Sequence, residues 1–380
     1  MRPTELKCSE CGATFPLKEE RLRCRSCGQT LVIDYEFERE EKLEDSLAAG
    51  DFSPLTPLEG ERVSLGEGET QTIGSKWSGP RLGIDLTFKL EFLNPTGSFK
   101  DRGNSILVSW AKERGATRLV DDSSGNAGSS LAAYSARCGL DCTIYVPERA
   151  SGGKVVQIQS YGAKLKKVAG SRERVTEELK EDWTDDSDLY YASHNLSPFF
   201  LEGMKTLAYE IWLEKKVDLP DHIVFPVGGG ALLLGAFRGF SELREGGLIE
   251  EIPRLHAAQP AACAPVVAAF REDLDYIPQI DIEETVAEGT HIGQPARGKE
   301  ILAALGESGG RAFAVAEEEI KTAYTELAQK EGLFVEPTSA LTMGALKEMK
   351  AKKVLENGEE VLLPLTGSGL KDISTAKGLI

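Results

Sequence analysis

Short apolar runs alternate with longer amphipathic segments along most of the chain, from about residue 87 onward. The apolar runs predict strands, and the amphipathic segments between them predict helices. Strands are predicted at residues 117–120, 142–146, 164–168, 189–192, 223–227 and 360–363, and helices at 129–138, 154–161, 172–180 and 232–243. Such alternation indicates right-handed crossovers, so the pattern predicts an α/β fold with mostly parallel sheets and helices on both faces.

Four loops rich in glycine and small polar residues follow apolar runs, at residues 90–103, 121–128, 226–231 and 363–372. Open α/β sheets bind their ligands at the carboxyl ends of their strands. These four loops are therefore the candidate functional site.

The first loop reads LEFLNPTGSFKDRG, and a helix is predicted to begin near Ser98. Lys100 then lies in the first turn of that helix, where burial and the helix dipole both disfavour an ammonium and lower the pKa of the amine. A neutral amine is what a lysine needs in order to form a Schiff base. For an isolated lysine, an exposed surface position is the simpler interpretation, but the fourteen-residue string is more specific.

The second loop, DDSSGNAG, lies between a predicted strand and a predicted helix. Backbone N–H groups of small residues at a helix N-terminus suit a carboxylate ligand, which makes Ser124, Asn126 and Ala127 candidate substrate-binding residues. The amide of Asn126 can also hydrogen-bond a phenolic or carbonyl oxygen. A helix cap in a glycine-rich turn explains the same residues without a ligand.

The third and fourth loops present backbone donors and a hydroxyl. Residues 226–231 read PVGGGA, and small residues in a row that open a helix form a nest of N–H groups for a phosphate. The loop is not a P-loop, because no Gly-Lys-Ser/Thr follows. In the fourth loop, LPLTGSGLKD, the hydroxyl of Thr366 is the feature of interest. A flexible turn and a polar C-terminal turn are the respective alternatives.

Four cysteines near the N-terminus have the spacing C-x2-C-x12-C-x2-C, at Cys8, Cys11, Cys24 and Cys27. Two short C-x2-C turns can place four thiolates tetrahedrally around one zinc ion. Four protein ligands leave no open position, so the pattern predicts a structural zinc ribbon. Unrelated thiols or disulfides are the alternatives, and disulfides are unexpected in a cytoplasmic chain.

Length and charge limit the function classes. A chain of 380 residues is long enough for two or three domains. The formal net charge of -17 disfavours sequence-independent binding of nucleic acids, which needs surplus lysine and arginine. No apolar run approaches the roughly 20 residues of a membrane helix, and the N-terminus lacks the apolar segment of a secretory signal. We expect a cytoplasmic protein with no nucleic-acid or membrane partner.

Together, these loops resemble the fold-type II pyridoxal-phosphate (PLP) enzymes, and specifically the threonine synthase family. LNPTGSFKDRG resembles the segment with the family's Schiff-base lysine, SLGEGET at residues 64–70 resembles its leader, and LTGSGLKD resembles its C-terminal loop. Many members also begin with a cysteine ribbon. The resemblance extends over nearly the whole chain and implies a fold like that of the tryptophan synthase β subunit, with two parallel-sheet lobes.

The resemblance implies roles for individual residues. Lys100 would hold PLP, Phe99 would border its site, and Asn126 would contact its ring oxygen. Thr366 would hydrogen-bond the pyridine nitrogen, where a neutral hydroxyl suits eliminations better than transamination. The cofactor phosphate would be held by Gly228, Gly229, Gly230 and Ala231.

The implied reaction is that of a carbon–oxygen lyase, which converts O-phosphohomoserine and water to L-threonine and phosphate. Some positions depart from the family pattern: GNAG stands at 125–128 where GNTS is common, Ser368 stands where a histidine is frequent, and glycines replace an asparagine in the phosphate loop. GNAG and the triple glycine resemble serine/threonine dehydratases. Ammonia release from serine or threonine, cysteate synthesis from phosphoserine and sulfite, and a regulatory pseudoenzyme therefore stay open.

A phosphorylated substrate needs a local pocket in a chain of net charge -17. Ser151 and Lys154 lie in the string ASGGK at a predicted helix start, where anions are favoured, and are candidate residues for the substrate phosphate. An ordinary capped surface helix is the alternative.

Three regions are predicted from these patterns. The zinc ribbon occupies residues 1–35, a large PLP-binding lobe combines 36–105 with 205–380, and a small α/β lobe comprises 106–204. The expected partners are a phosphorylated amino acid as substrate and a second copy of the chain in a homodimer.

Overall fold

The structure, a computed structural model, describes residues 2–19, 21–36, 44–47, 52–150, 152–186, 188–216 and 218–379. In chain order the strands are β1 (Arg2–Cys8), β2 (Thr14–Pro16), β3 (Leu31–Glu36), β4 (Thr72–Gly74), β5 (Asp85–Lys89), β6 (Arg118–Asp121), β7 (Asp141–Pro147), β8 (Lys164–Val168), β9 (Leu189–Tyr191), β10 (His222–Pro226), β11 (Arg254–Pro260), β12 (Ala312–Val315) and β13 (Glu360–Pro364).

Helices occupy most of the intervening segments. They are α1 (Ser78–Leu82), α2 (Lys100–Glu113), α3 (Asn126–Cys138), α4 (Gly153–Ser160), α5 (Arg172–Asp185), α6 (Pro198–Met204), α7 (Thr206–Lys215), α8 (Ala231–Glu245), α9 (Pro265–Arg271), α10 (Gly298–Glu307), α11 (Glu317–Glu326), α12 (Pro337–Ala351) and α13 (Ile373–Leu379). A π-helical turn, Leu327–Glu331, continues α11.

The chain forms two compact units, each assembled from separate stretches of sequence. Unit 1 comprises the chain up to Gly68 together with Lys100–Thr206 and Gly246–Leu248. Unit 2 comprises Glu69–Phe99, Leu207–Glu245 and the chain from Ile249 onward. The division into a ribbon and two lobes at the predicted boundaries stays a prediction, because compact packing does not test where independent domains begin.

Unit 1 contains two sheets. The N-terminal sheet is antiparallel with strand order β2-β1-β3, and the other is parallel with order β8-β7-β6-β9. Strands β6 and β9 are largely buried, which explains their apolar sequences, because parallel strands are covered on both faces. Helix α5 packs Val175 and Leu179 against this sheet in a core that also contains Val120 and Tyr145.

Unit 2 is built on one six-stranded sheet of order β12-β11-β10-β13-β5-β4. All neighbouring strands in it are parallel except β4, which runs antiparallel to β5 at one edge. Its core includes Phe88, Phe313 and Leu363 from the strands and Leu346 from α12, each at most 1% exposed. The predicted α/β architecture with mostly parallel sheets is confirmed.

Most predicted elements occur within a few residues of their predicted bounds, and β8 has the predicted bounds. Helix α3 begins at Asn126, three residues before the predicted start at 129, because the chain turns into the helix at Gly125. Among the helices of the described segments, none has both the length and the apolar character needed to cross a membrane.

Candidate active site

Three of the predicted loops follow neighbouring strands of unit 2. Strands β10, β13 and β5 are adjacent and parallel, so the loops that follow them lie side by side at the carboxyl ends of the strands. The loop after β5 is bonded to the loop after β13, since the backbone N–H of Phe99 donates to the carbonyl of Thr366 at 3.1 Å and Ser98 forms a bridge with Gly367. Phe99 and Thr366, predicted from separate motifs, are thus brought together.

The hydroxyl of Thr366 is buried, with the residue 3% exposed, and its Oγ1 lies 3.1 Å from Oγ of Ser339. Ser339 comes from the first turn of α12, and its Oγ accepts the backbone N–H of Gly367 at 3.0 Å. Ser339 therefore holds the Thr366 loop in place through its contacts with Thr366 and Gly367. Sequence reasoning did not identify Ser339, because it lies 27 residues from Thr366 and in no glycine-rich loop.

The turn before Phe99 is held by a buried lysine. Lys371, 8% exposed, donates from Nζ to the carbonyl of Thr96 at 2.7 Å. The next residue, Gly97, adopts a φ of 84°, in the left-handed region where a side chain is disfavoured. A Cβ on Gly97 would lie 3.1 Å from Cδ of Lys371. The PTG turn therefore has one tightly specified conformation.

The loop Gly228–Ala231 closely approaches neighbouring groups. A Cβ on Gly228 would lie 2.9 Å from the carbonyl oxygen of Gly289, and one on Gly230 would lie 2.4 Å from Cδ1 of Ile301. Gly230 also has a φ of 78°. Ala231 opens α8, so this loop combines backbone N–H groups at a helix start with close approaches that only glycine fits at positions 228 and 230, as a phosphate site requires.

Lys100 belongs to unit 1, where it is the first residue of α2 and partly buried. Burial lowers the pKa of its amine to about 8, while the negative charge of Asp121 acts in the opposite direction. Its Nζ lies 5.5 Å from the centroid of the Phe200 ring. A lysine amine with this pKa is partly neutral near neutral pH, which is the state that forms a Schiff base.

The loop 121–128 leads from β6 into α3 in unit 1. A Cβ on Gly128 would lie 1.9 Å from the carbonyl oxygen of Ser123, so the loop folds tightly onto the first turn of the helix. Asn126 is the first residue of α3, Ser124 is partly buried and Ala127 is buried. The backbone N–H groups of this turn are thereby placed at a helix start, as predicted for a carboxylate site.

Lys154 is the second residue of α4, also in unit 1, and it is partly buried. Its carbonyl accepts a hydrogen bond from Oγ of Ser129 at 3.4 Å, which joins α4 to the first turn of α3. The two helix starts predicted for substrate binding are therefore neighbours. Ser151, predicted with Lys154, lies outside the described residues.

Residues of these loops have the chemistry that PLP requires. Lys100 offers an amine of lowered pKa, Gly228–Ala231 offers a glycine cradle with N–H donors, and Thr366 offers a buried hydroxyl. Residues 63–367 match the family described as "Pyridoxal-phosphate dependent enzyme".

The chain belongs to the PLP-dependent enzymes.

Within this family the chain is similar to threonine synthases, which confirms the resemblance inferred from the motifs. It is 36% identical to the threonine synthase of Methanocaldococcus jannaschii, over 97% of this chain and 93% of the relative. It is 32% identical to that of Methanosarcina acetivorans, with the same coverage. Among solved structures, the serine racemase of Dictyostelium discoideum has a TM-score of 0.67 and 26% identity, covering 87% of this chain and 98% of that chain.

The PLP-dependent fold carries a separate cysteine cluster in the N-terminal sheet of unit 1. The Sγ atoms of Cys8, Cys11, Cys24 and Cys27 all lie within 4.8 Å of one another, and three of the pairs are 3.4 to 3.7 Å apart. Four sulfurs at about 2.3 Å from one zinc ion lie roughly 3.8 Å apart, so the cluster has the dimensions of a tetrahedral site.

The two C-x2-C turns have the same backbone geometry. In each, the glycine after the second cysteine donates its N–H to the carbonyl of the first cysteine, from Gly12 to Cys8 at 3.2 Å and from Gly28 to Cys24 at 2.9 Å. Both glycines have a positive φ, of 70° and 74°. The two turns therefore have similar conformations and bring their four thiols close together. The cluster is compatible with a bound metal ion.

Proposed function

We propose that this PLP-dependent enzyme is a threonine synthase, which converts O-phosphohomoserine and water to L-threonine and phosphate. The observation that carries the proposal is the similarity to two threonine synthases at 36% and 32% identity over 97% of the chain. That coverage extends well beyond residues 63–367, the part that matches PLP-dependent enzymes in general. The similarity therefore includes sequence outside the part shared by PLP enzymes of other activities.

In this proposal Lys100 anchors PLP and later moves protons. When bound, the cofactor supplies an electron sink for the pair released as a bond at the substrate Cα breaks. Lys100 takes the Cα proton on Nζ, for which a pKa of about 8 is well matched to neutral pH. The hydroxyl of Thr366 would face the pyridine nitrogen, and Phe99, directly before Lys100, would border the ring.

The remaining binding roles are assigned to residues at the N-termini of helices. The backbone N–H groups of Gly228, Gly229, Gly230 and Ala231 would bind the cofactor phosphate, and Asn126 would contact the ring oxygen. The turn at Ser124–Ala127 would bind the substrate carboxylate. Lys154, with Ser151, would bind the substrate phosphate, and the hydrogen bond that joins α4 to α3 supports this pairing of neighbouring anion sites.

Dehydration of serine or threonine is the second candidate. It is favoured by the string Gly125-Asn126-Ala127-Gly128 and by the triple glycine at 228–230, both of which resemble dehydratases. A dehydratase needs no pocket for a second phosphate. The role of Lys154 therefore separates the two candidates.

A substrate panel tests the proposal. The holoenzyme is incubated separately with O-phosphohomoserine, serine, threonine, and phosphoserine plus sulfite, while free phosphate, 2-oxo acids and amino acids are measured. The proposal predicts phosphate and threonine in equal amounts from O-phosphohomoserine. Lys154→Ala should weaken that reaction far more than PLP binding. Efficient ammonia release from threonine, with O-phosphohomoserine unused, would establish the dehydratase instead.

We also propose that the cysteine cluster binds one structural zinc ion per chain. The sheet that carries it is joined to α6, because the hydroxyl of Tyr35 in β3 donates to the fully buried carboxylate of Glu202. Zinc removal should therefore lower the thermal stability of the enzyme and leave turnover by the protein that stays folded largely intact. Metal analysis of reduced, purified enzyme that finds no zinc would contradict this proposal.

A further inference from the structure

One carboxylate close to Lys100 has no part in the proposed chemistry so far. Asp121 is the last residue of β6 and is 1% exposed. Its Oδ2 lies 3.2 Å from Nδ1 of His194, and its Oδ1 has no hydrogen-bond partner in the described segments. A buried carboxylate with one donor is costly, and the charge of Asp121 raises the pKa of Lys100, so Asp121 is a candidate for a role in the chemistry of that lysine.

The adjacent carboxylate has a different environment. Asp122 accepts hydrogen bonds from Thr176 at 2.5 Å and from Tyr191 at 3.2 Å, and it lies 3.4 Å from the guanidinium of Arg172. These partners hold the pKa of Asp122 below its ordinary value despite burial. Burial instead raises the pKa of Asp121, against the lowering effect of His194. Asp122 therefore forms an ion pair with Arg172, whereas Asp121 contacts the imidazole of His194 and is the carboxylate whose negative charge raises the pKa of Lys100.

Asp121, His194 and Lys100 are joined through one aromatic ring. Phe200 meets the imidazole of His194 edge-on with centroids 6.1 Å apart, and Nζ of Lys100 lies 5.5 Å from the same ring. The charge of Asp121 raises the pKa of Lys100. The pKa of Asp121 is in turn lowered by His194 and Arg172 and raised by Asp122. The Lys100 amine and the Asp121–His194 pair are thus placed at the same aromatic ring.

We propose that the Asp121–His194 pair is a positioning device for the reaction, which stabilises positive charge on Nζ of Lys100. The inference rests on the proposed role of Lys100 as the base. On taking the Cα proton, Lys100 would form the new N–H bond with its lone pair and Nζ would become an ammonium, while bound PLP would supply the acceptor for the C–H electron pair. Burial opposes that ammonium, and the ionised Asp121 offsets the penalty. His194 donates from Nδ1 to Asp121, which favours the ionised carboxylate against the effect of burial.

The test is a pH titration of the visible absorbance of PLP bound to Lys100 in the holoenzyme. Asp121→Asn keeps the shape of the side chain and removes its charge, so the midpoint pH of the absorbance titration should fall by at least about one pH unit. Turnover should fall about tenfold, because Lys100 holds a proton less well. The matched control is Asp122→Asn, which removes the neighbouring charge and should leave the midpoint in place.

Substitutions of His194 separate this role from a structural one. His194→Leu removes the donor to Asp121 and should move the midpoint in the same direction as Asp121→Asn. His194→Asn retains an N–H near the position of Nδ1 and should restore it. A merely structural role would lower the melting temperature in these variants without moving the midpoint.

Three outcomes would overturn the inference. An unmoved midpoint in folded Asp121→Asn enzyme would refute it while leaving the proposed threonine synthase activity intact. An equal shift in Asp122→Asn would show that any nearby carboxylate has this effect. Borohydride trapping of PLP on another lysine would refute this inference together with the proposed role of Lys100.

Discussion

Lys100 and Lys112 lie on the same helix in different surroundings. Both are on α2, but Lys112 is exposed in the last turn, whereas Lys100 opens the helix with a pKa lowered to about 8 by burial. We expect Lys100→Ala to prevent trapping of PLP by borohydride and to reduce turnover at least about 1000-fold, since anchor and base are lost together. Lys112→Ala should change neither. Trapping that persists in Lys100→Ala would contradict the assignment.

The hydroxyl of Thr366 permits a second test with two substitutions of similar size. Thr366→Ser retains the hydroxyl next to Ser339 and should cost little activity. Thr366→Asp places a carboxylate at a position only 3% exposed, and in the proposed site it would favour a protonated pyridine ring. Elimination should then be impaired and the absorbance of bound PLP altered. Equal turnover by the Asp variant and the wild type would remove Thr366 from the mechanism.

Single residues differ in how well sequence alone predicts them. Lys100 and the four cysteines lie in dense local motifs, so they could be singled out without a structure. Asp121 and His194 are 73 residues apart, and Ser339 and Thr366 are 27 apart. Their pairing depends on which strands and helices become neighbours in the fold, and no local pattern contains that information.

At the scale of elements, the glycine loop before α8 gives a prediction on cofactor affinity. A methyl group on Gly228 would lie 2.9 Å from a backbone oxygen and 3.0 Å from Cα of Thr290, so the loop must shift. Gly228→Ala should therefore weaken PLP binding at least about tenfold, a loss of roughly 1.4 kcal/mol. Titration of cofactor-free enzyme with PLP measures this.

Gly306→Ala is the matched control for that substitution. It lies in α10 of the same unit, and a Cβ there would meet nothing within 4 Å. Its PLP affinity should equal that of the wild type. Tight PLP binding by Gly228→Ala would show that the loop does not hold the cofactor phosphate.

Strands and helices of unit 1 were better predicted than the C-terminal half of unit 2. Strand β8 has the predicted bounds because it lies between two breaks at glycine, a turn at Gly162 before it and Gly170 shortly after it. Helices α10, α11 and α12 were not predicted. The apolar positions of α11 and α12 face one shared core, and the small residues of α12 give only a weak amphipathic pattern. Where a helix is buried on most sides, periodicity no longer distinguishes it from a buried strand.

For the whole molecule, a buried histidine pair in unit 2 makes stability depend on pH. Nδ1 of His256 accepts the N–H of Arg311 at 3.0 Å, so its Nε2 donates to Nδ1 of His222 at 2.8 Å, and His222 donates to Glu359 at 3.1 Å. Both rings are neutral in this chain of bonds. Burial lowers the pKa of His256 to about 3 and also lowers the pKa of His222.

The unfolded chain binds protons on these rings more readily than the folded enzyme does. A folded pKa below the unfolded value of 6.5 means that the stability is complete above that pH and is lost as the pH falls towards 3. We expect the free energy of unfolding to fall by up to about 1.4 kcal/mol per pH unit for each histidine. Urea unfolding at several pH values between about 7 and about 5.5 measures this slope.

The contribution of His256 is isolated by substitution. His256→Gln should lower stability at neutral pH, since a buried hydrogen bond is disturbed, and should reduce the slope by about one proton. The same change at the exposed His291 should leave the slope as in the wild type. A slope that His256→Gln does not alter would show that the loss of stability in acid comes from other groups.

The position of β13 in its sheet has a consequence for biosynthesis. Strand β13 pairs with both β10 and β5, yet it is the last strand to leave the ribosome. Until then the nascent chain holds two incomplete pieces, β5 with β4 and β10 with β11 and β12, each with an open edge that can pair wrongly. A ribosome that stops before residue 360 therefore releases a chain that lacks the strand between β10 and β5, and both of these strands keep an open edge on which another chain can pair.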